Sequence, residues 1–203
     1  MATTIPVDMG ETRISRSSGE KLVAFGLGAC VGVCLYDPLT SVAGMVHIVL
    51  PQTLAPSRAG IPNAEVSSLP GKSADTAVPH LIQELEKQGA KLPRLRAAIA
   101  GGARIFKSPI IKAGETSSSL GPVSRLEIGL RNIEAVRVLL SQFEIPIFAE
   151  NVGGTCGRTV TLLPGVGHVF VRIIGKEDKL LVNLGMATAS EPLAGSGIKR
   201  YGT

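Results

Sequence analysis

Three apolar or β-branched stretches follow one another at residues 22–25, 31–36 and 42–50, parted by Gly26-Leu27-Gly28 and by Asp37-Pro38. Runs this short, bounded by turn-forming residues, predict consecutive strands. Residues 51–72 then hold several Pro, Gly and Ser residues without periodicity, which predicts a long surface loop directly after the third strand. Past it the spacing becomes helical. Val78, Leu81, Ile82 and Leu85 fall on one face, with Asp75 placed to cap the start, Pro79 near the first turn and Gly89 at the stop. Ile133, Val136, Leu139, Leu140 and Phe143 repeat that spacing after Asn132, with Pro146 beyond the end, and predict a second helix. Five further short stretches, 95–100, 145–149, 159–163, 168–174 and 180–182, read as strands.

Strands outnumber helices, and neither an internal repeat nor a regular strand-helix alternation runs through the chain. The pattern therefore favours an α+β or layered arrangement over a doubly wound sheet. The first 20 residues are polar and unpatterned, and those from Gly185 onward are rich in Gly, Ala and Ser. Flexible segments at 1–20 and 185–203 are expected to flank one folded body at 21–184. A chain of 203 residues can bury a sizeable core and fits one domain more easily than two.

A hydrophobic fraction of 44% against a charged fraction of 18% excludes disorder throughout. The longest apolar run, 42–50, is punctuated by Gly44 and His47 and falls short of the roughly 20 residues of a membrane-spanning helix. Acidic residues stand where a signal peptide would have its apolar segment. Neither membrane insertion nor export is expected, and the expected compartment is the cytoplasm. The net charge of +5 and pI near 9.3 raise the question of nucleic acid, but an aromatic content of 3% leaves few side chains for base stacking, so no nucleic-acid partner is expected. Lys87, Lys91, Arg94, Arg96, Arg104, Lys107 and Lys112 occur without an intervening Asp or Glu. Such a surface suits an acidic protein partner, and equally a solvated face that only aids solubility.

Cys30, Cys34 and Cys156 are an odd number of cysteines, which argues against a disulfide framework. A catalytic thiol needs a sharp, partly exposed turn and a base that lowers its pKa from about 8.5. Gly26-Leu27-Gly28-Ala29-Cys30 supplies such a turn, where the amides of Gly28, Ala29 and Cys30 can serve as an oxyanion hole. His47 sits on the next apolar strand with the pleat direction of Met45 and Val49, an expensive place for an imidazole without a partner. On local features alone, a buried cysteine and a satisfied core histidine account for the same two residues. A metal site on Cys30, Cys34 and His47 lacks a fourth ligand at usual zinc spacing, so neither metal nor cofactor is expected. Cys34, roughly 13 Å along the strand from Cys30, reads as core. Cys156, in a glycine turn, His80 and His168 carry no further signal.

The run Leu27-Gly28-Ala29-Cys30-Val31-Gly32-Val33-Cys34-Leu35-Tyr36-Asp37-Pro38, followed by Gly44-Met45-Val46-His47, resembles the signature of the CheD family of chemoreceptor glutamine deamidases. Ser73-Ala74-Asp75-Thr76-Ala77, Gly101-Gly102-Ala103, Ile128-Gly129-Leu130-Arg131-Asn132 and Ala149-Glu150-Asn151-Val152-Gly153-Gly154 follow in that family's order, so the resemblance covers residues 21–175. It implies a layered α/β/β sandwich resembling bacterial toxin deamidases, with Cys30 as nucleophile and His47 as general acid and base. It also implies chemoreceptor cytoplasmic helices as substrate and, in some members, a CheC-type phosphatase as partner. The family carries a threonine six positions before its cysteine, where this chain has Ala24, and commonly a serine where it has Ala29. That departure keeps open a binding protein with weakened catalysis, engaging the phosphatase or a receptor. A Cys-His protease or transglutaminase-like enzyme shares the same thioester chemistry. For Arg131-Asn132 and Gly101-Gly102, a helix cap and a tight turn suffice.

Overall fold

The structure is a computed structural model that describes residues 2–53, 69–104 and 128–186. Among these residues ten strands and two α-helices follow in the order β1 (Thr3–Pro6), β2 (Thr12–Ser15), β3 (Glu20–Leu27), β4 (Val31–Asp37), β5 (Val42–Ile48), α1 (Ala74–Lys87), β6 (Arg96–Gly101), α2 (Ile128–Gln142), β7 (Ile147–Val152), β8 (Arg158–Leu163), β9 (His168–Ile173) and β10 (Lys179–Asn183). They build a mixed α+β fold of two five-stranded sheets. One sheet has the order β1-β3-β8-β9-β10, the other β2-β5-β4-β6-β7.

Strand parity explains the layers. In β4 every residue is buried, because both of its faces are covered. Val31, Val33 and Leu35 point into a core shared with Val78, Leu81 and Leu85 of α1 and Val136 and Leu140 of α2. Cys34 and Tyr36 point the other way, into a second core with Leu22 and Leu27 of β3, Met45 of β5 and Val160 and Leu162 of β8. Helices, central sheet and outer sheet thus form three layers. β8 covers only one side and alternates buried with half-buried residues, the signature of a sheet with one solvated face.

Several expectations need correction. The first 20 residues contain two strands: β1 runs parallel to β3, with Ile5 opposite Leu22, and β2 runs antiparallel to β5, with Ile14 opposite Gly44. Both are four-residue edge strands rich in polar side chains, the kind whose pattern is weakest in sequence. Asp75 is not the cap of α1, which Ser73 precedes; its carboxylate instead accepts from the Thr53 amide and hydroxyl at 2.9 and 3.0 Å. The helix stops at Gly89 as expected, with φ +96° and its N–H on the Glu86 carbonyl. α2 begins four residues before Asn132, which lies inside it and caps nothing. Most of the proline-rich loop expected at 51–72, and residues 187–203 of the expected tail, lie outside the described residues.

Three side chains of the basic stretch, Lys87, Arg94 and Arg96, have partners within the fold. Arg94 grips the fully buried Asp37 through Nε and Nη2, at 3.0 and 2.6 Å to its Oδ2, and the amides of Leu39 and Lys91 also donate to that carboxylate. Burial alone would raise the Asp37 pKa, but these donors more than offset it and hold it below the ordinary 3.8. Arg96 donates to the Leu184 carbonyl at 2.7 Å and lies over the Phe148 ring, and Lys87 pairs with Glu84. Lys107 and Lys112 lie outside the described residues.

Candidate active site

β3 ends at Leu27 in the outer sheet and β4 starts at Val31 in the central one, so Gly28-Ala29-Cys30 is the crossing between sheets. Its three carbonyls are each held. The Ala103 amide donates to Gly28 O at 2.7 Å, the Asn132 side-chain amide to Ala29 O at 2.9 Å, and the Gly102 amide to Cys30 O at 2.7 Å. The amides of Gly28, Ala29 and Cys30 donate to no carbonyl among the described residues. A turn with carbonyls tied to one side and amides left over has the form required of an oxyanion site. Gly101 makes this seat possible: at φ +121°, a Cβ there would stand 2.1 Å from the Cys30 carbonyl oxygen.

In the β4–β5 register Gly32 faces His47 and Val31 faces Ile48, so Cys30 is the diagonal neighbour of His47 on the same face of the sheet. Diagonal neighbours lie within reach of longer side chains, and Gly32 puts no side chain between them. Cys30 is half-buried and packs on the inter-sheet core, whereas His47 is buried, 4% exposed. Among the described hydrogen bonds none joins the two side chains. His47 Nδ1 lies 3.2 Å from the Val7 carbonyl, and Nε2 is buried without a partner. Because a carbonyl only accepts, Nδ1 carries the proton and Nε2 presents a lone pair.

The N-terminal segment does more here than place Val7. The Gly10 amide donates to His47 O at 2.8 Å, and the His47 amide donates to Glu11 O at 3.1 Å. Val7 is itself anchored by its amide on Val23 O at 2.9 Å. The histidine is therefore held by the very residues expected to fray.

Electrostatics set the resting state. Burial pushes the Cys30 thiol above its ordinary 9.0, with its own backbone N–H acting in the opposite sense. Burial likewise pushes His47 below its ordinary 6.5, against the Val7 carbonyl and the Asp8 charge. The thiol is not lowered by a neighbouring imidazolium, contrary to the expectation for an activated cysteine. At neutral pH both groups are uncharged, which leaves His47 free to accept a proton.

Of the remaining candidates, Cys34 is fully buried and its thiol is pushed far up by that burial. Cys156 is exposed on the β7–β8 loop, His80 lies on α1, and His168 starts β9 with its ring against Phe170. Among the described residues no three His, Cys, Asp or Glu side chains come together to hold a metal. Two site residues escaped the sequence reading. Asn132 shares the inward stripe of α2 with Gly129, Ile133 and Val136, and a polar side chain within an apolar stripe was a signal available in sequence. Arg158, also buried, holds the β7–β8 loop by donating to the carbonyls of Asn151, Gly153 and Cys156. That loop, with Gly102, Arg104, Gly129, Leu130 and Ile133, lines a cavity of about 370 Å³ whose lining includes neither Cys30 nor His47.

Fold and site together define a two-sheet α+β protein that presents a thiol and a neutral imidazole on one sheet face beside free backbone amides. The family model described as CheD chemotactic sensory transduction matches residues 54–173. A probable chemoreceptor glutamine deamidase CheD from Symbiobacterium thermophilum is 38% identical over 172 residues, 85% of this chain and 93% of that protein. The chemoreceptor glutamine deamidase CheD of Thermotoga maritima is 37% identical over 174 residues, 86% of this chain and 94% of its own. The chain belongs to the CheD family. Among solved structures, the hypothetical protein YfiH of Bacillus licheniformis aligns with a TM-score of 0.38 at 13% identity, covering 73% of this chain and 60% of that one.

Proposed function

We propose that this protein hydrolyses side-chain amides of glutamines on the cytoplasmic helices of chemoreceptors, leaving glutamate and releasing ammonia. The observation that carries the reading is the pairing of Cys30, on a turn with spare amides, with a lone-pair nitrogen of His47 on the same face, in a chain whose relatives bear the deamidase name. The three-layer arrangement suits the toxin-deamidase likeness that the family implies. Such a substrate puts the protein in the cytoplasm, and among the described residues no helix is long and apolar enough to cross a membrane.

In this reading His47 Nε2 takes the Cys30 proton as Sγ bonds to the carboxamide carbon, and the oxygen, now an anion, takes donation from the Ala29 and Cys30 amides. The C–N bond then breaks. The imidazolium returns its proton to the leaving nitrogen, which departs as ammonia, and a thioester remains. His47 next takes a proton from water, whose oxygen attacks the thioester carbon; the C–S bond breaks and the thiol is reprotonated. Incubated receptor fragments should gain about one mass unit at specific glutamines; unchanged mass across several receptors would remove the reading.

Burial of His47 favours its neutral, basic form, so the acid limb of kcat/KM should fall below pH 6.5, the ordinary value for the group. A pH-rate profile with an acid limb above 6.5 would contradict this assignment of the base.

A second reading, a binding protein with weakened catalysis that engages a receptor or a CheC-type phosphatase, starts from Ala24, and the bond from His47 to the Val7 carbonyl counts against it. Ala24 is fully buried in the inter-sheet core and brings no hydroxyl. The Val7 carbonyl already orients the imidazole, so Ala24→Thr should change the deamidation rate less than about threefold. A larger gain would show that catalysis had been limited by the missing hydroxyl.

A further inference from the structure

We propose that Asn132 is a positioning residue for this reaction, orienting the Cys30 amide as an oxyanion donor and tying the cysteine turn to the end of the histidine strand. The inference rests on the Cys30 reading above and deepens it.

Asn132 lies in the second turn of α2 and is fully buried. Its Nδ2 donates to two carbonyls on different segments, Ala29 at 2.9 Å and Val49 at 3.0 Å. Both partners can only accept, so the nitrogen must face them and the orientation of the side chain is settled. One residue thus bonds the segment that presents Cys30 and the segment two residues past His47. The helix can come this close because Gly129, one turn earlier, has no side chain: a Cβ there would stand 2.7 Å from the Gly102 carbonyl oxygen. Gly102 in turn donates to Cys30 O, so the helix start, the Gly101-Gly102 segment and the cysteine turn form one stack.

The consequence follows from the peptide bond. A planar trans unit points its C=O and N–H in opposite directions. The Ala29 carbonyl and the Cys30 N–H belong to the same unit, so holding that oxygen toward α2 aims the N–H away from the helix. The Ala103 amide on Gly28 O does the same for the Ala29 N–H. Two donors are thereby aligned in advance, and only one of the two anchors is a side chain that mutation can remove.

The test compares two reactions of Cys30. Deamidation needs the oxyanion donors, whereas alkylation by iodoacetamide needs only the sulfur. In Asn132→Ala, kcat for ammonia release should fall about 10- to 100-fold with KM within about threefold, while Cys30 alkylation stays within about threefold of wild type. Deamidation at the wild-type rate overturns the proposal, and so does an alkylation rate that falls in step with deamidation, the mark of a site that has come apart. If Asn132→Ala does not fold, Asn132→Asp keeps the volume and removes the donors when ionised. Its rate relative to wild type should rise as the pH is lowered and the carboxyl regains a proton to donate; a ratio independent of pH overturns the proposal. The wild-type arm tests the underlying reading separately, because protein that releases no ammonia through Cys30 fails before any Asn132 variant is compared.

Discussion

Replacing Cys30 with alanine should lower receptor deamidation by at least about 10³-fold in kcat/KM and leave the melting temperature within about 3 °C of wild type. The first effect is large because in the proposed mechanism the thiol sulfur bonds to the substrate carbon, and no other thiol can take over. Cys34 is sealed in the inter-sheet core, and Cys156 lies on a different loop. The second effect is small because Cys30 is only half-buried at the edge of its core and loses one sulfur atom. In the proposed mechanism thiol and base act as one unit, so the double variant Cys30→Ala, His47→Ala should be no slower than Cys30→Ala alone. Ammonia release and thermal melting of the two variants check both statements, and a double variant markedly slower than the single one would separate the two residues.

Gly101→Ala is expected to be less damaging to activity and far more damaging to the fold. The added methyl meets the Cys30 carbonyl oxygen at 2.1 Å, a separation that non-bonded atoms do not tolerate, and the backbone sits at φ +121°. Backbone faces backbone there, so neither side yields cheaply. We expect a loss of about 2–3 kcal/mol in stability and a melting temperature lower by about 5–10 °C. The cysteine turn must shift to make room, and a displacement of about 1 Å at a reacting atom is enough for a 100-fold loss of deamidation. Gly89→Ala is the control. Its φ is also positive, at +96°, but open space surrounds it at the far end of α1. It should cost only about 1 kcal/mol and leave deamidation unchanged. Equal losses in the two variants would assign the effect to backbone strain in general and not to the seat of Cys30.

The parts of this molecule that show in its sequence are those where one physical rule dominates. Alternating or continuous apolar runs revealed β3, β4 and β5, and helical spacing gave the inward face of α1, because burial there is decided by local periodicity. The cysteine turn was visible because glycines flank it, and His47 because a lone imidazole stands out on an apolar strand. What stayed hidden was decided by pairing across long sequence distances. Thr3–Pro6 and Thr12–Ser15 become strands only against β3 and β5, and nothing in polar edge segments announces that. Asn132 read as a cap because its residue type suits one, yet its partners are 103 and 83 residues away in the chain. The uncharged resting state of Cys30 and His47 was equally hidden, since it depends on burial by both sheets.

Interception of the thioester separates a covalent route through Cys30 from direct attack by water. Receptor fragments incubated with wild-type protein in the presence of hydroxylamine should carry hydroxamate at the same glutamines that otherwise become glutamate, and Cys30→Ala should produce neither product. Conversion to glutamate alone, at an unchanged rate and with no hydroxamate at any hydroxylamine concentration, would mean that water attacks the amide directly and that Cys30 is not the nucleophile.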